Sequence, residues 1–203
     1  MPAPVFDDHI RDLAIVVLAG GEGRRMGGGK PLRAFGGTSL IAHAVHLARR
    51  WSGPVAIAVR DAAQLPDAPA PVILDAEGVD GPAAGLQAAL AFGVAQRAGA
   101  VLTIPCDTPH LPIDLAPRLK AALTPAFGCS LAVSGGQAHP TCGLWRTGAA
   151  GRLDDYLAGG RRSLRGFAAE LGAAFVEWPL VDGADPFANA NTPEELAALQ
   201  PRG

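Results

Sequence analysis

Four short apolar runs, LAIVVLA (13–19), VAIAV (55–59), PVIL (71–74) and AVLTI (100–104), leave this chain few architectures. Each is apolar throughout, short for a helix and rich in branched residues, the pattern of strands covered on both faces. Amphipathic stretches separate them. From Ser39 to Trp51, the apolar residues Leu40, Ile41, Ala44, Leu47, Ala48 and Trp51 recur on one helical face. GPAAGLQAALAFGVAQR (81–97) is Ala-rich and long enough for a crossover helix. Strands alternating with helices specify βαβ units, hence an α/β three-layer sandwich around a mostly parallel, Rossmann-like sheet. After Asp107 the signals shorten to a helix near 114–123, strands at CSLAVS and TCGLW, helices near 151–158 and 163–171, and a strand at AFVEW. This half predicts an antiparallel edge. No repeat or low-complexity linker interrupts the chain, so residues 1–203 read as one domain, with 1–12 as a loosely ordered N-terminal extension.

Composition removes several function classes. No run approaches the roughly 18 apolar residues of a membrane span. A net charge of −2 argues against broad nucleic-acid binding, which normally needs a basic patch in a basic domain. MPAPVFDDHIRD lacks a basic region followed by an apolar core, so the expectation is no secretory signal and a reducing cytoplasm. Cys106, Cys129 and Cys142 are odd in number and form no C-x-x-C pair, which makes them small core residues rather than a disulfide framework or zinc site.

The first apolar run ends in LAGGEGRRMGGGKP (18–31), with six glycines, two arginines and a lysine in fourteen residues. In an open parallel sheet, ligands bind beyond the carboxyl ends of the strands, and this stretch begins where the first strand stops. It is therefore a site loop rather than a linker. Glycine permits positive φ and close approach of backbone N–H groups to an anion, while Lys30, Arg24 and Arg25 supply charge. Phosphate is the natural guest. The loop is not a Walker A, because Lys30 precedes Pro31 and Arg24 occupies the first glycine position. Nor is it the dinucleotide fingerprint, since Gly21 and Gly23 are followed by three residues before Gly27, one too many.

The same rule brings two carboxylates to that rim, Asp75 closing PVILD and Asp107 closing AVLTIPCD. A basic phosphate loop facing strand-end acids is a metal–nucleotide arrangement, because Mg²⁺ takes one or two carboxylates together with substrate phosphates and waters. Asp107 before Thr-Pro also has the composition of a plain turn, and both readings stand at this level.

Five blocks in order, LAGGEGRRMGGGKPL, GPAAGLQAAL (81–90), PCDTPHLP (105–112), HPTCGLW (139–145) and FANANTPEEL (187–196), resemble the molybdenum cofactor guanylyltransferases. These belong to the wider nucleotidyltransferases of the nucleotide-diphospho-sugar transferase type. The resemblance covers roughly residues 13–200. It implies Mg²⁺-dependent transfer of GMP from GTP to the terminal phosphate of molybdenum-loaded molybdopterin, with release of pyrophosphate. Molybdoenzyme chaperones and other proteins of cofactor biosynthesis are the implied partners. By motif match, Leu18, Ala19, Gly20, Gly21 and Lys30 hold the nucleotide, Asp75 lies near its base or ribose, and Asp107 binds both nucleotide and metal. The chain departs from the family in carrying Gly29 where an Asp often precedes the loop lysine. It also has no asparagine in VAIAVRD, after the second long run.

The chemistry needs no side-chain nucleophile. Attack of a phosphate oxygen on the α-phosphorus of an NTP requires alignment and charge neutralisation. Lys30, Asp107, Arg24 and Asn191 are the candidate catalytic groups. Thr192, Pro193 and Glu195 have the form of a capped helix start, which leaves Asn189 and Asn191 unexplained, and the resemblance puts these asparagines at the site rim. Arg161, Arg162 and Arg165 are either a solvated helix start or a receptor for the acceptor's phosphate. His139 before Pro140 reads as a turn or hydrogen-bonded histidine rather than a catalyst. Leu18-Ala19-Gly20-Gly21 resembles the guanine-using form of the loop, where cytidine-using relatives tend to show L-A-A-G. The alternatives are a cytidylyl- or sugar-1-phosphate nucleotidyltransferase and a non-catalytic nucleotide-binding module, against which Lys30 and Asp107 both speak.

Overall fold

A computed structural model describes residues 12–21, 26–51 and 53–200. Of the N-terminal extension only Asp12 falls within this range, and its carboxylate accepts a hydrogen bond from Gly99 N at 2.5 Å. The first long run is β1 (Leu13–Leu18), after which a two-stranded hairpin, β2 (Ala34–Phe35) and β3 (Thr38–Ser39), leads into α1 (Leu40–Arg49). The chain continues through β4 (Val55–Val59), β5 (Val72–Leu74), α2 (Pro82–Ala95), β6 (Ala100–Pro105) and α3 (Leu115–Ala122). It then forms β7 (Cys129–Ser134), β8 (Gln137–Arg146), α4 (Ala150–Ala158), α5 (Leu164–Leu171), β9 (Ala173–Trp178) and α6 (Pro193–Ala198).

Seven strands form one sheet in the order β5-β4-β1-β6-β8-β7-β9. Strands β5, β4, β1 and β6 are mutually parallel. The antiparallel element of the second half is β8, which lies inside the sheet, antiparallel to both β6 and β7. The rim strand β9 pairs parallel to β7. The chain steps from β1 to β4 and β5, then returns through α2 to the other side of β1. Order therefore reverses at β1, where a crevice opens beyond the strand ends.

Alternation along the strands divides the core into two layers. Leu13, Ile15 and Val17 pack with Ile41, Val45, Leu115 and Leu119 of α1 and α3, whereas Ala14 and Val16 pack with Leu86, Leu90, Leu153 and Phe167 of α2, α4 and α5. The second face of β4 is built from Ala56 and Ala58, both buried, so the small residues of α2 can approach closely. A Cβ on Gly93 of α2 would stand 2.7 Å from Thr147 Cγ2. Capping fixes the helix starts: Ser39 accepts from Ala42 N, and Ser163 from Gly166 N. Such caps stabilise by about 1 kcal/mol each. Among the described residues, no helix is long and apolar enough to cross a membrane.

Candidate active site

Beyond the carboxyl ends of β1, β4, β5 and β6 lies a cavity of about 290 Å³. Its wall includes Leu18, Ala19, Gly20 and Gly21, with Lys30, Asp75 and Asp107. The sequence-predicted nucleotide residues thus converge on one space. Arg24 and Arg25 lie outside the described residues.

Three successive glycines carry the loop to Lys30 with φ of 72°, 82° and 59° at Gly27, Gly28 and Gly29, a region hostile to any residue with a Cβ. Met26 before them is buried in a small cluster with Phe35, Leu40, Ala190 and Leu196. Arg33 donates to the Met26 and Gly28 carbonyl oxygens and closes the loop on itself. Gly29 then starts a single 3-10 turn, Lys30–Leu32, with Pro31 at its head. The turn fixes where the lysine stem leaves the backbone.

Lys30 Nζ pairs with Asp107 Oδ2 and donates to Asn191 Oδ1 at 2.9 Å. Sequence separations of 77 and 161 residues collapse into one contact. Asn191 reaches this place on a strap that runs from Asp185 to α6. Ala190 N donates to Asp107 O at 2.8 Å, and Thr108 Oγ1 donates to Asn189 Oδ1 at 2.5 Å. Thr192 caps α6 by accepting from Glu195 N, while Glu195 reaches back to Asn191 N at 2.6 Å rather than to the cap's own N–H. The capping expectation holds, with the reciprocal bond shifted one residue upstream.

Asp75 explains Gly20. A Cβ at Gly20 would lie 2.1 Å from Asp75 Oδ2, and one at Gly85 would lie 2.9 Å from Leu18 Cδ2 and 3.4 Å from Asp75 Oδ1. The bare backbone at Gly20 therefore makes room for a carboxylate before any ligand enters. Asp75 Oδ1 is buried with no hydrogen-bond partner among the described residues. Burial pushes the Asp75 carboxyl above its ordinary value, and the Arg60 guanidinium draws it part of the way back. Arg60, at the end of β4, lines the same cavity and stands 3.7 Å from exposed Asp80.

Sequence reasoning missed Arg60 and Thr141 as wall residues. The strand-end rule applied to β4 would have found Arg60. Thr141 depends on a register shift between Leu131 and Ala132 of β7, across which residues 140–142 bulge out of the ladder. Pro140, which has no N–H to give the ladder, sits in that bulge. The arginines of the second half are elsewhere: Arg161 pairs with Glu170 at 2.6 Å and lies 4.0 Å over the Tyr156 ring, Arg162 donates to Leu157 O, and Arg165 to Ala138 O. None of the three lines the cavity. All three cysteines are free and buried. Burial pushes the Cys129 thiol up to about 12, and burial with the nearby Asp107 charge does the same at Cys106.

Residues 15–174 match the MobA-like NTP transferase domain. The chain belongs to this family. A molybdenum cofactor guanylyltransferase of Cereibacter sphaeroides is 41% identical over 187 residues, 91% of this chain and 94% of that protein. Among solved structures, the molybdopterin-guanine dinucleotide biosynthesis protein A of Archaeoglobus fulgidus superposes with a TM-score of 0.73 at 22% identity, covering 91% of this chain and 95% of that one. A CMP:2-keto-3-deoxy-manno-octonic acid synthetase complexed with CTP reaches 0.72 at 14% identity, covering 92% and 96%, so it shares the fold. The MobA-like chain is a transferase by this membership.

Among the described residues, no three His, Cys, Asp or Glu converge in a metal-binding group. Of the two carboxylates on the cavity wall, Asp107 is the one beside the Lys30 ammonium, which the Asn191 amide oxygen also meets. That donor set fits a divalent metal whose remaining ligands are substrate phosphates and waters, the habit of Mg²⁺.

Proposed function

We propose that this MobA-like transferase moves GMP from GTP to the terminal phosphate of molybdenum-loaded molybdopterin and releases pyrophosphate. The observation that carries the reading is Lys30 on the wall of a glycine-lined cavity, bound to Asp107 of the same wall and to Asn191, whose neighbour Asn189 rather than Asn191 itself lines the space. The names of relatives at about 40% identity over most of the chain support the substrate pair.

The backbone of Leu18–Gly21 holds the nucleotide. Ala19 N is already bonded to Ala58 O, and at Gly20 and Gly21 no side chain stands between the backbone and the cavity. Lys30 exchanges its carboxylate partner for the triphosphate, and Asn191 keeps its stem aimed during that exchange. Asp107, freed of the ammonium, holds the metal. A divalent metal such as Mg²⁺, held by Asp107, would supply charge neutralisation for the transferring phosphate. An acceptor phosphate oxygen forms the new bond to the α-phosphorus as the bond to the β-phosphate bridging oxygen breaks, and pyrophosphate carries away the electron pair. Asp75 and Arg60 bracket the base: a carboxylate accepts from the N1–H and N2–H₂ of guanine, and a guanidinium donates to its O6 and N7. The proposal extends to a cytoplasmic setting, where the buried thiols stay reduced, and to chaperones that receive the product.

The test is the product itself. Incubation with GTP, Mg²⁺ and molybdenum-loaded molybdopterin should give a species heavier by one GMP in mass spectrometry. Recovery of unmodified acceptor would remove the reading.

A further inference from the structure

HPTCGLW is the motif whose first residue the transfer scheme leaves unused. His139 does not face the cavity. Its Nε2 lies 2.7 Å from Ser134 Oγ, and Ser134 Oγ donates to Asp185 Oδ1 at 2.7 Å. The same Asp185 oxygen accepts from Phe187 N at 2.8 Å. Because the hydroxyl proton of Ser134 is committed to the carboxylate, His139 must donate from Nε2, so Nε2 carries a proton. The His139 ring stacks on Phe187 with centroids 4.8 Å apart at 14°, and Trp178 meets the Phe187 ring edge-on. One hydrogen-bond chain and one ring stack therefore grip the start of the strap. Its far end is gripped by Ala190 N on Asp107 O and by Asn189 on Thr108. Asn191 extends from this doubly held segment to Lys30.

We propose that His139 is a positioning residue of the transfer site, holding the 185–191 strap through Ser134, Asp185 and Phe187 so that Asn191 presents its oxygen to Lys30. Burial of the ring disfavours the imidazolium, with Arg165 adding to that effect and Asp185 and Glu177 opposing it. Ser134 itself is buried, so water cannot replace the imidazole donor there without opening the strap. Loss of the donor loosens the strap's start and lets Asn191 drift from Lys30, while the cavity wall formed by β1, β4 and β5 stays in place. The cost therefore falls on turnover more than on nucleotide affinity.

The inference rests on the transfer reading above, and its test separates the two. His139→Phe keeps the stack on Phe187 and removes the donor, whereas His139→Gln keeps a donor. His139→Phe should lower kcat about fivefold with the KM for GTP within about twofold, and His139→Gln should recover most of that loss, in the range expected for coupled neighbours. In an Asn191→Ala background the same His139→Phe change should cost less than about twofold, because the residue it positions is gone. Equal losses in both backgrounds, or full turnover by His139→Phe, would overturn the proposal. In the ligand-free protein, the side-chain amide resonances of Asn189 and Asn191 should shift in His139→Phe and return in His139→Gln. Unshifted resonances would overturn it even if the parent protein transfers no nucleotide, an outcome that would count against the transfer reading alone.

Discussion

Lys30 and Asp107 form an ion pair in which a loop lysine covers a strand-end carboxylate, with side chains 11% and 17% exposed. Neither group is spent on the core, and both face a cavity. On the proposed reading, the pair keeps a cation beside the space where transfer takes place. Its two members have separable roles, and the variants below read them separately.

Lys30→Ala should lower turnover by roughly 100-fold or more, since a charge contact to transferring phosphates contributes about 3 kcal/mol. The melting temperature should change little, because the loop is held by Met26 and Arg33 rather than by the lysine. Pyrophosphate release near the parent rate would remove Lys30 from the site.

Asp107→Asn keeps the side-chain size and leaves the Asp107 carbonyl bonded to Ala190 N. It should melt like the parent and lose metal-supported activity. Unfolding, with normal activity in whatever remains folded, would make Asp107 a turn residue.

Gly20→Ala tests a steric claim. Its Cβ would overlap Asp75 Oδ2, so the carboxylate must leave its place. GTP use should fall and the preference over CTP should narrow. In an Asp75→Ala background the same change should cost almost nothing further, because the clash is gone. Equal losses in both backgrounds would show that Gly20 serves the ligand directly.

Asp75 also predicts a pH dependence. Its folded carboxyl is raised above the ordinary 3.8, so the folded state holds the proton more tightly than the unfolded chain. Stability from this group is full below 3.8 and declines as pH rises from there through the folded value. Asp75→Asn should therefore melt higher than the parent at pH 7, with the gap closing in acid, while GTP use falls. An unchanged or lower melting temperature at pH 7 would contradict a carboxylate whose desolvation outweighs the pull of Arg60.

The parallel half of the fold was legible because each strand is short and apolar throughout, α1 is apolar on one face, and α2, though apolar nearly all round, is Ala-rich and too long for a strand. The strand-end rule then found Asp75 and Asp107 without any ligand. It did not find the β2–β3 hairpin, two residues to a strand, which is too short for a period. Nor could it see that β8 extends back to Gln137, since Pro140 interrupts the pattern where the strand bulges. The steric reason for Gly20 was not legible in the loop alone. A Cβ there would meet Oδ2 of Asp75, a residue 55 positions away whose place only the fold shows. Asn191 was legible only as a residue left over from capping, and its contact with Lys30 spans 161 positions.

Pyrophosphate release measured with each of the four NTPs, with and without molybdenum-loaded molybdopterin, tests the central claim most directly. The predicted result is release that requires the acceptor and favours GTP over CTP by at least about 30-fold in kcat/KM, since unpaired buried groups cost about 1 to 3 kcal/mol each. Equal use of GTP and CTP, or release that ignores the acceptor, would contradict it.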